Sequence, residues 1–449
     1  MTTRRVVFAL ILLASLVAAS SPWWRPDPHP ASDVNALAER YVRLVLALGQ
    51  HDRDYVDAYY GPPEWRMEAE LTKVSLDEID EASTDLAGDL AAIVPAPSAP
   101  EPARLRHQYL ARQLEAFRAR VAILNGTTMR FDEESKALYD AVAPAHTEHE
   151  FLGVLTELEK RLPGSGALLD RYEAYRLRFV IPRVRLDATF RAAIDECRAR
   201  TLKHIRLPGE ESFTVEYVTG KTWSAYNWYQ GGYRSVIQVN TDLPIHADWA
   251  VVLACHEGYP GHHAYNVLLE KNLVRGRGWR EFSVYPLFTP QSLIAEGTGD
   301  YGVHVAFPGL DRVAFARRVV FPAAGLDPST AAGYYDVVDL VERLAPAGDE
   351  AARRYLDGQL DAEGTIRWLE TYALHSRARA EQRLRFIDQY RSYVINYTVG
   401  KDIVARWIES QGGTDADPAR RWELFEDLIS SPRLPSSLTT PNPQRPASK

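Results

Sequence analysis

Several kinds of site are ruled out by what the sequence has little of. Of 449 residues only two are cysteine, Cys197 and Cys255. Two thiols cannot supply a disulfide framework or a Cys-rich zinc finger, so any metal site must rest on His and carboxylates. Positive charge is not in excess: 52 Lys and Arg stand against 60 Asp and Glu, a net charge of −8. That balance leaves no electrostatic footprint for nucleic acid. There is no Gly-rich phosphate loop and no internal repeat. Histidine is scarce as well, with twelve in the chain, yet His256, His262 and His263 fall within eight residues. What remains is an ordinary globular mix, 46% hydrophobic and 25% charged, long enough for two or three units or one large enzyme.

The N-terminus has the pattern of an export signal. Arg4 and Arg5 precede an apolar run over residues 6–19, which at 14 residues is shorter than a membrane span. Ala18, Ala19 and Ser20 offer a cleavage site, and Pro22, Pro26, Pro28 and Pro30 mark a linker. The expectation is a signal peptide over residues 1–20, a linker over 21–32, and a periplasmic or extracellular mature chain without a membrane span. An uncleaved N-terminal anchor is the alternative. In an oxidising compartment the two cysteines could pair. Cys255 also follows the apolar residues 250–254, which suits a buried free thiol equally.

Helical periodicity dominates. Asp33 can cap a helix carrying Leu37, Tyr41, Leu44 and Leu48 up to Gly49. After a Pro-rich stretch over 95–102, Leu110, Leu114, Phe117, Val121 and Leu124 recur at helical spacing as far as Asn125-Gly126. Further helices are expected near 148–162, 186–205, 247–255 and 291–305, and again across 365–409. Residues 213–218, 225–230 and 235–240 alternate β-branched and aromatic residues with polar ones, between Gly220 and Gly231-Gly232 turns. The spacing predicts a predominantly helical α+β protein with a small antiparallel-rich sheet. An N-terminal helical part (33–205) precedes a catalytic part (206–430) and a disordered Pro-rich tail (431–449).

The chemistry concentrates in His256-Glu257-Gly258-Tyr259-Pro260-Gly261-His262-His263. This approaches the HExxH pattern, in which two His one turn apart hold Zn²⁺ and the Glu serves as general base. Here the fourth position after His256 is Pro260. On an unbroken helix His262 would lie about 600° around from His256, and His263 about 10.5 Å along the axis. Pro260 clashes with the carbonyl of His256 and Gly261 eases a bend, so the helix has to bulge or break. With Pro260-Gly261 looped out, His262 takes the second ligand position. His263 is then either a supporting residue or the rival ligand. Glu296 and Asp300 share one helical face, which suits Glu296 as third ligand and Asp300 as the acceptor of a ligating His N–H, with His304 one turn further on.

The block His256–His263, followed by Ala295-Glu296-Gly297 with Tyr301 and a late Tyr397-Thr398-Val399-Gly400-Lys401, resembles the bacterial domain of unknown function 885 family, which is grouped with gluzincin-type zinc metallopeptidases. The resemblance spans about residues 33–430. It departs at Thr298-Gly299, where the family has Trp-Ala. It implies a zincin-like catalytic part holding one Zn²⁺ per chain. The expected activity is hydrolysis of peptide or small amide bonds, with Glu257 moving the proton. Tyr397, or behind it Tyr301, is the candidate oxyanion donor, and Lys401 or Arg391 the candidate partner of a substrate carboxylate. The strand 235–240 is the expected docking edge for an extended peptide, as in gluzincin sheets. A non-catalytic exported metal- or peptide-binding protein and a hydrolase of non-peptide amides or esters are the alternatives. The sequence does not determine the oligomeric state.

Overall fold

The computed structural model describes residues 33–439, so the expected signal peptide and linker and the last ten residues lie outside the described residues. Local chemistry explains the first helices. The Asp33 side chain accepts from the Asn35 N–H and opens Val34–Leu48, whose buried face includes Leu37, Tyr41, Leu44 and Leu48. The helix Glu101–Leu124 buries Leu110, Leu114, Phe117 and Val121 and stops at Asn125, before Gly126 at φ +94°. The helix Leu76–Ala92 packs with both, under a Ser75/Glu78 capping box.

Two small sheets lie among the helices. In the first, β1 (Val56–Tyr59) pairs antiparallel with β5 (Val284–Pro286). The second has β2 (Ser212–Val218), β3 (Ala225–Gly231) and β4 (Arg234–Asn240) in the order β2-β4-β3. Gly231, Gly232 and Tyr233, all at positive φ, form the turn that folds β4 back on β3. β2 pairs with the opposite edge of β4 and runs parallel to it, so the sheet is mixed. The crossing is pinned by Asn240, whose amide donates to the carbonyls of Lys221 and Trp223. This corrects one expectation. Strand 235–240 is the centre of its sheet, with both edges already paired, and cannot receive a peptide; the outer edges belong to β2 and β3, and of these two it is β3 that borders the large cavity.

Buried side chains form one cluster running from Leu37 to Leu438, across the expected boundary at Ile205 and Arg206. A second cluster joins Phe151, Leu158 and Tyr172 to Leu344, Trp368 and Leu384. The tail differs from expectation up to Thr439. Leu434 and Leu438 lie one turn apart and are buried, Pro435–Thr439 is a short helix, and the Ser436 N–H donates to Asp140. Cys197 and Cys255 are joined in a disulfide, Cα–Cα 5.7 Å, so the free-thiol alternative does not hold. No helix among the described residues is long and apolar enough to cross a membrane.

Candidate metal centre

The helix Ala247–Leu253 widens into a π turn, Ala254–Gly258, which carries His256 and Glu257. The chain then breaks at a cis Tyr259–Pro260 bond, and a new helix, His262–Leu269, begins after Gly261. Gly261 has no substitute, because a Cβ there would lie 1.9 Å from the carbonyl oxygen of His256. The break turns His262 back on His256, with ring centroids 4.6 Å apart and planes at 88°. The helix Pro290–Ala306 runs past both and presents Glu296 and Asp300.

His256, His262 and Glu296 each offer one ligand atom, and these atoms lie within 4.8 Å of one another. Glu296 Oε2 is 3.1 Å from His256 Nε2 and 3.5 Å from His262 Nε2. Ligands bound tetrahedrally at Zn–N and Zn–O distances near 2.0–2.1 Å would stand about 3.3 Å apart. The donor set therefore fits a zinc-sized ion. Asp300 Oδ1 takes the His256 Nδ1–H at 2.8 Å, which turns Nε2 into the cluster as the free donor. The Glu296 Oε1 atom accepts from Tyr393 at 2.7 Å. Gly299 lies under the His256 ring, where a Cβ would come within 2.9 Å of Cε1.

The electrostatics match that arrangement. Burial alone would lower the pKa of His256, but the Asp300 charge and hydrogen bond, then the Glu296 hydrogen bond, hold it well above the usual value. Burial would raise Glu296, yet the two histidines pull it well below the carboxylate range. Glu257 is raised, chiefly by burial. Its Oε2 is buried and has no protein partner, while its backbone carbonyl accepts from Asn227 of β3 at 2.7 Å.

The other sequence candidates divide. His263 is fully buried and points away, with Nδ1 2.8 Å from Ser235 Oγ and Nε2 3.0 Å from Glu211. It is not a rival ligand, because one residue along a helix turns a side chain by about 100°, here toward the sheet. The Tyr397 ring stands 6.4 Å from the His256 ring in the same cavity. Tyr301 lines that cavity beside His304, whose Nε2 is 3.8 Å from Glu342 rather than at the cluster. Lys401 is paired with Glu342, and Arg391 with Glu134 at 2.7 Å, so both cations already have carboxylate partners.

The cavity measures about 1540 Å³ and includes His256, Glu257, His262 and Glu296 among its walls. It also holds residues that sequence reasoning passed over. Tyr393 belongs to the series Tyr390, Tyr393, Tyr397, a spacing visible in the sequence. Asp57 arrives from β1 with no local sign of its role; it accepts from the Tyr226 hydroxyl, and burial pushes its carboxyl up to about 7.

No family model matches the chain, and no curated protein matches it. The link to the domain of unknown function 885 family stands on the residue blocks alone. Among solved structures the chain is similar to one described as BsuCP, at 10% identity and TM-score 0.43, covering 88% of this chain and 90% of that one. A structure described as CHT gives 11% identity and TM-score 0.42 over 88% and 90%. An M32 carboxypeptidase from Deinococcus radiodurans R1 gives 16% identity and TM-score 0.35 over 88% of each chain.

Proposed function

We propose that the protein is a zinc-dependent hydrolase of amide bonds in peptides, exported to the periplasm or beyond, and that it groups with the domain of unknown function 885 family. The observation that carries this reading is the unpartnered buried oxygen of Glu257 beside the His256, His262 and Glu296 cluster on a large cavity. A purely structural metal site has no use for a second, uncommitted carboxylate at that position.

When bound by these three side chains, Zn²⁺ supplies Lewis-acid polarisation of the scissile carbonyl and of the attacking water. The protein does the rest. Asp300 fixes the tautomer of His256, and Tyr393 fixes the outer oxygen of Glu296. Glu257 takes the proton of the water and passes it to the leaving amine. Tyr397 is the hydroxyl donor for the developing oxyanion. The free edge of β3, which lines the cavity at Ala225, Tyr226 and Asn227, aligns an extended substrate by main-chain pairing.

Glu257→Gln tests the reading. The variant should keep about one zinc per chain by elemental analysis and lose peptide hydrolysis by about 10²–10⁴-fold. Wild-type turnover in that variant would remove Glu257 from the mechanism. A folded wild-type chain that takes up no zinc would overturn the reading as a whole.

A further inference from the structure

Beyond Tyr397, the same cavity is lined by a group of guanidinium side chains. Arg379 and Arg383 stand four residues apart on the helix Arg377–Tyr390 and so face one way. Arg176 lines the cavity as well, at the end of the helix Leu168–Leu177. Elsewhere on the cavity wall arginines are matched by acids: Arg312 with Asp339, Arg343 with Glu157, Arg421 with Asp415. Arg176 is held in part by protein groups, with Asp248 at 3.7 Å, the Tyr334 hydroxyl and the Tyr172 ring at 5.6 Å.

Arg379 and Arg383 have no carboxylate within ion-pair distance among the described residues. Arg379 donates to Ser224 and Gln382, both at 3.1 Å, and lies over the Trp249 ring at 5.2 Å. Arg383 lies over Phe386 at 5.0 Å. The acid that acts on Arg383 is Asp349, but it does not pair with it. One Asp349 oxygen accepts from Thr398, the other has no partner, and burial pushes the carboxyl up to about 7.

This grouping of like charge is costly. Burial first, then Arg383 and Arg176, pull Arg379 down to about 10. His375 and His246 line the same region, and burial together with these arginines lowers the pKa of both. Packing against Trp249 and Phe386 would be served as well by uncharged side chains. Planar forks left free on a cavity wall are the means by which proteins take hold of a carboxylate.

We propose that Arg379 and Arg383, supported by Arg176, form a carboxylate-binding subsite of this cavity, so that the preferred substrate is an amide carrying a free carboxylate close to the bond that is cut. The proposal rests on the hydrolase reading above and specifies its substrate. The carboxylate can come from a peptide C-terminus or from an Asp or Glu side chain.

The test uses the zinc-loaded full chain and three short N-blocked peptides of otherwise uncharged sequence. One ends in a free acid, one in an amide, and one in an amide preceded by Glu. The wild type should cleave at least one carboxylate-bearing peptide with kcat/KM about tenfold or more above the plain amide. A preference for the free acid identifies the C-terminus as the source, and a preference for the Glu peptide identifies the side chain. Arg379→Gln and Arg383→Gln should each bring that preference close to one. Arg377→Gln, which removes an exposed guanidinium paired with Glu363 and Glu381, should leave it intact. Equal cleavage of all three peptides by the wild type overturns the subsite and leaves the hydrolase standing. If none is cleaved, calorimetric binding of the same peptides to Glu257→Gln decides the matter. About tenfold tighter binding of a carboxylate peptide, lost in the double variant with Arg379→Gln, supports the subsite even as the hydrolase fails. Equal affinity overturns it.

Discussion

His262 and His263 are neighbours in sequence and opposites in setting. The first shares Glu296 Oε2 with His256, whereas the second is closed into a buried network with Ser235, Glu211 and, through Glu211, Tyr259 and Arg198. The two should fail differently. His262→Ala should reduce zinc to well below one per chain while the fold persists. His263→Ala should keep the zinc and lose about 2–4 kcal/mol of stability, because Ser235 and Glu211 are left buried with fewer partners. Zinc content and denaturant melts on the two purified variants check this, and the reverse pattern would exchange their roles. The spacing around Pro260 leaves this choice open, since it shows that the helix must break but not which ring the break turns inward.

The elements that hold the site approach each other more closely than most helices can. A Cβ on Gly297 would lie 2.3 Å from the backbone carbon of Gly400, so Pro290–Ala306 and Ile395–Ser410 touch main chain to main chain one residue from Glu296. Gly297→Ala must push backbone, not a flexible side-chain end, and should cost about 1–3 kcal/mol together with zinc affinity. Gly153→Ala, at an exposed helical glycine with open space around it, should instead stabilise by up to about 1 kcal/mol. The disulfide acts on the same assembly from the other side, because Cys255 directly precedes His256 and ties it to Cys197, 58 residues away. Loop entropy for that span is worth about 4 kcal/mol at most, so reduction should lower the melting temperature and loosen zinc together. Much at this level could be read in advance. The helices at Val34–Leu48 and Glu101–Leu124 follow from apolar spacing and stop signals, and the strands around Gly231-Gly232 from alternation. Periodicity describes one element at a time, however. It could not show that β4 would lie between β2 and β3, leaving those two as the edges, nor that β1 would carry Asp57 into the cavity. The pair Arg379 and Arg383 was present in the sequence as ordinary helix-surface charge. Only the cavity on which they border separates them from Arg377, which is exposed and paired.

Across the whole molecule the chain behaves as one interleaved body. Arg106 pairs with Glu281 in the interior, and Arg391 with Glu134, so buried charges bind the first third of the chain to the rest. Asp349, in contrast, has no cation close enough to pair with it, and burial raises its carboxyl to about 7, as it does for Asp57. The sign of its effect on stability follows. An unfolded aspartate gives up its proton near pH 3.9, whereas the folded chain keeps it until about pH 7. Between those values the unfolded state binds fewer protons than the folded one, so the contribution of Asp349 is fully present below about pH 4 and lost as pH rises through 7. Asp349→Asn keeps an acceptor for Thr398 and has no charge to bury. Relative to the wild type it should gain up to about 4 kcal/mol between pH 4 and pH 8, read from urea titrations of both proteins at the two pH values. A difference that stays constant with pH would mean that Arg383, rather than burial, governs Asp349. The two would then form a true ion pair, and Arg383 would no longer be free for a substrate carboxylate.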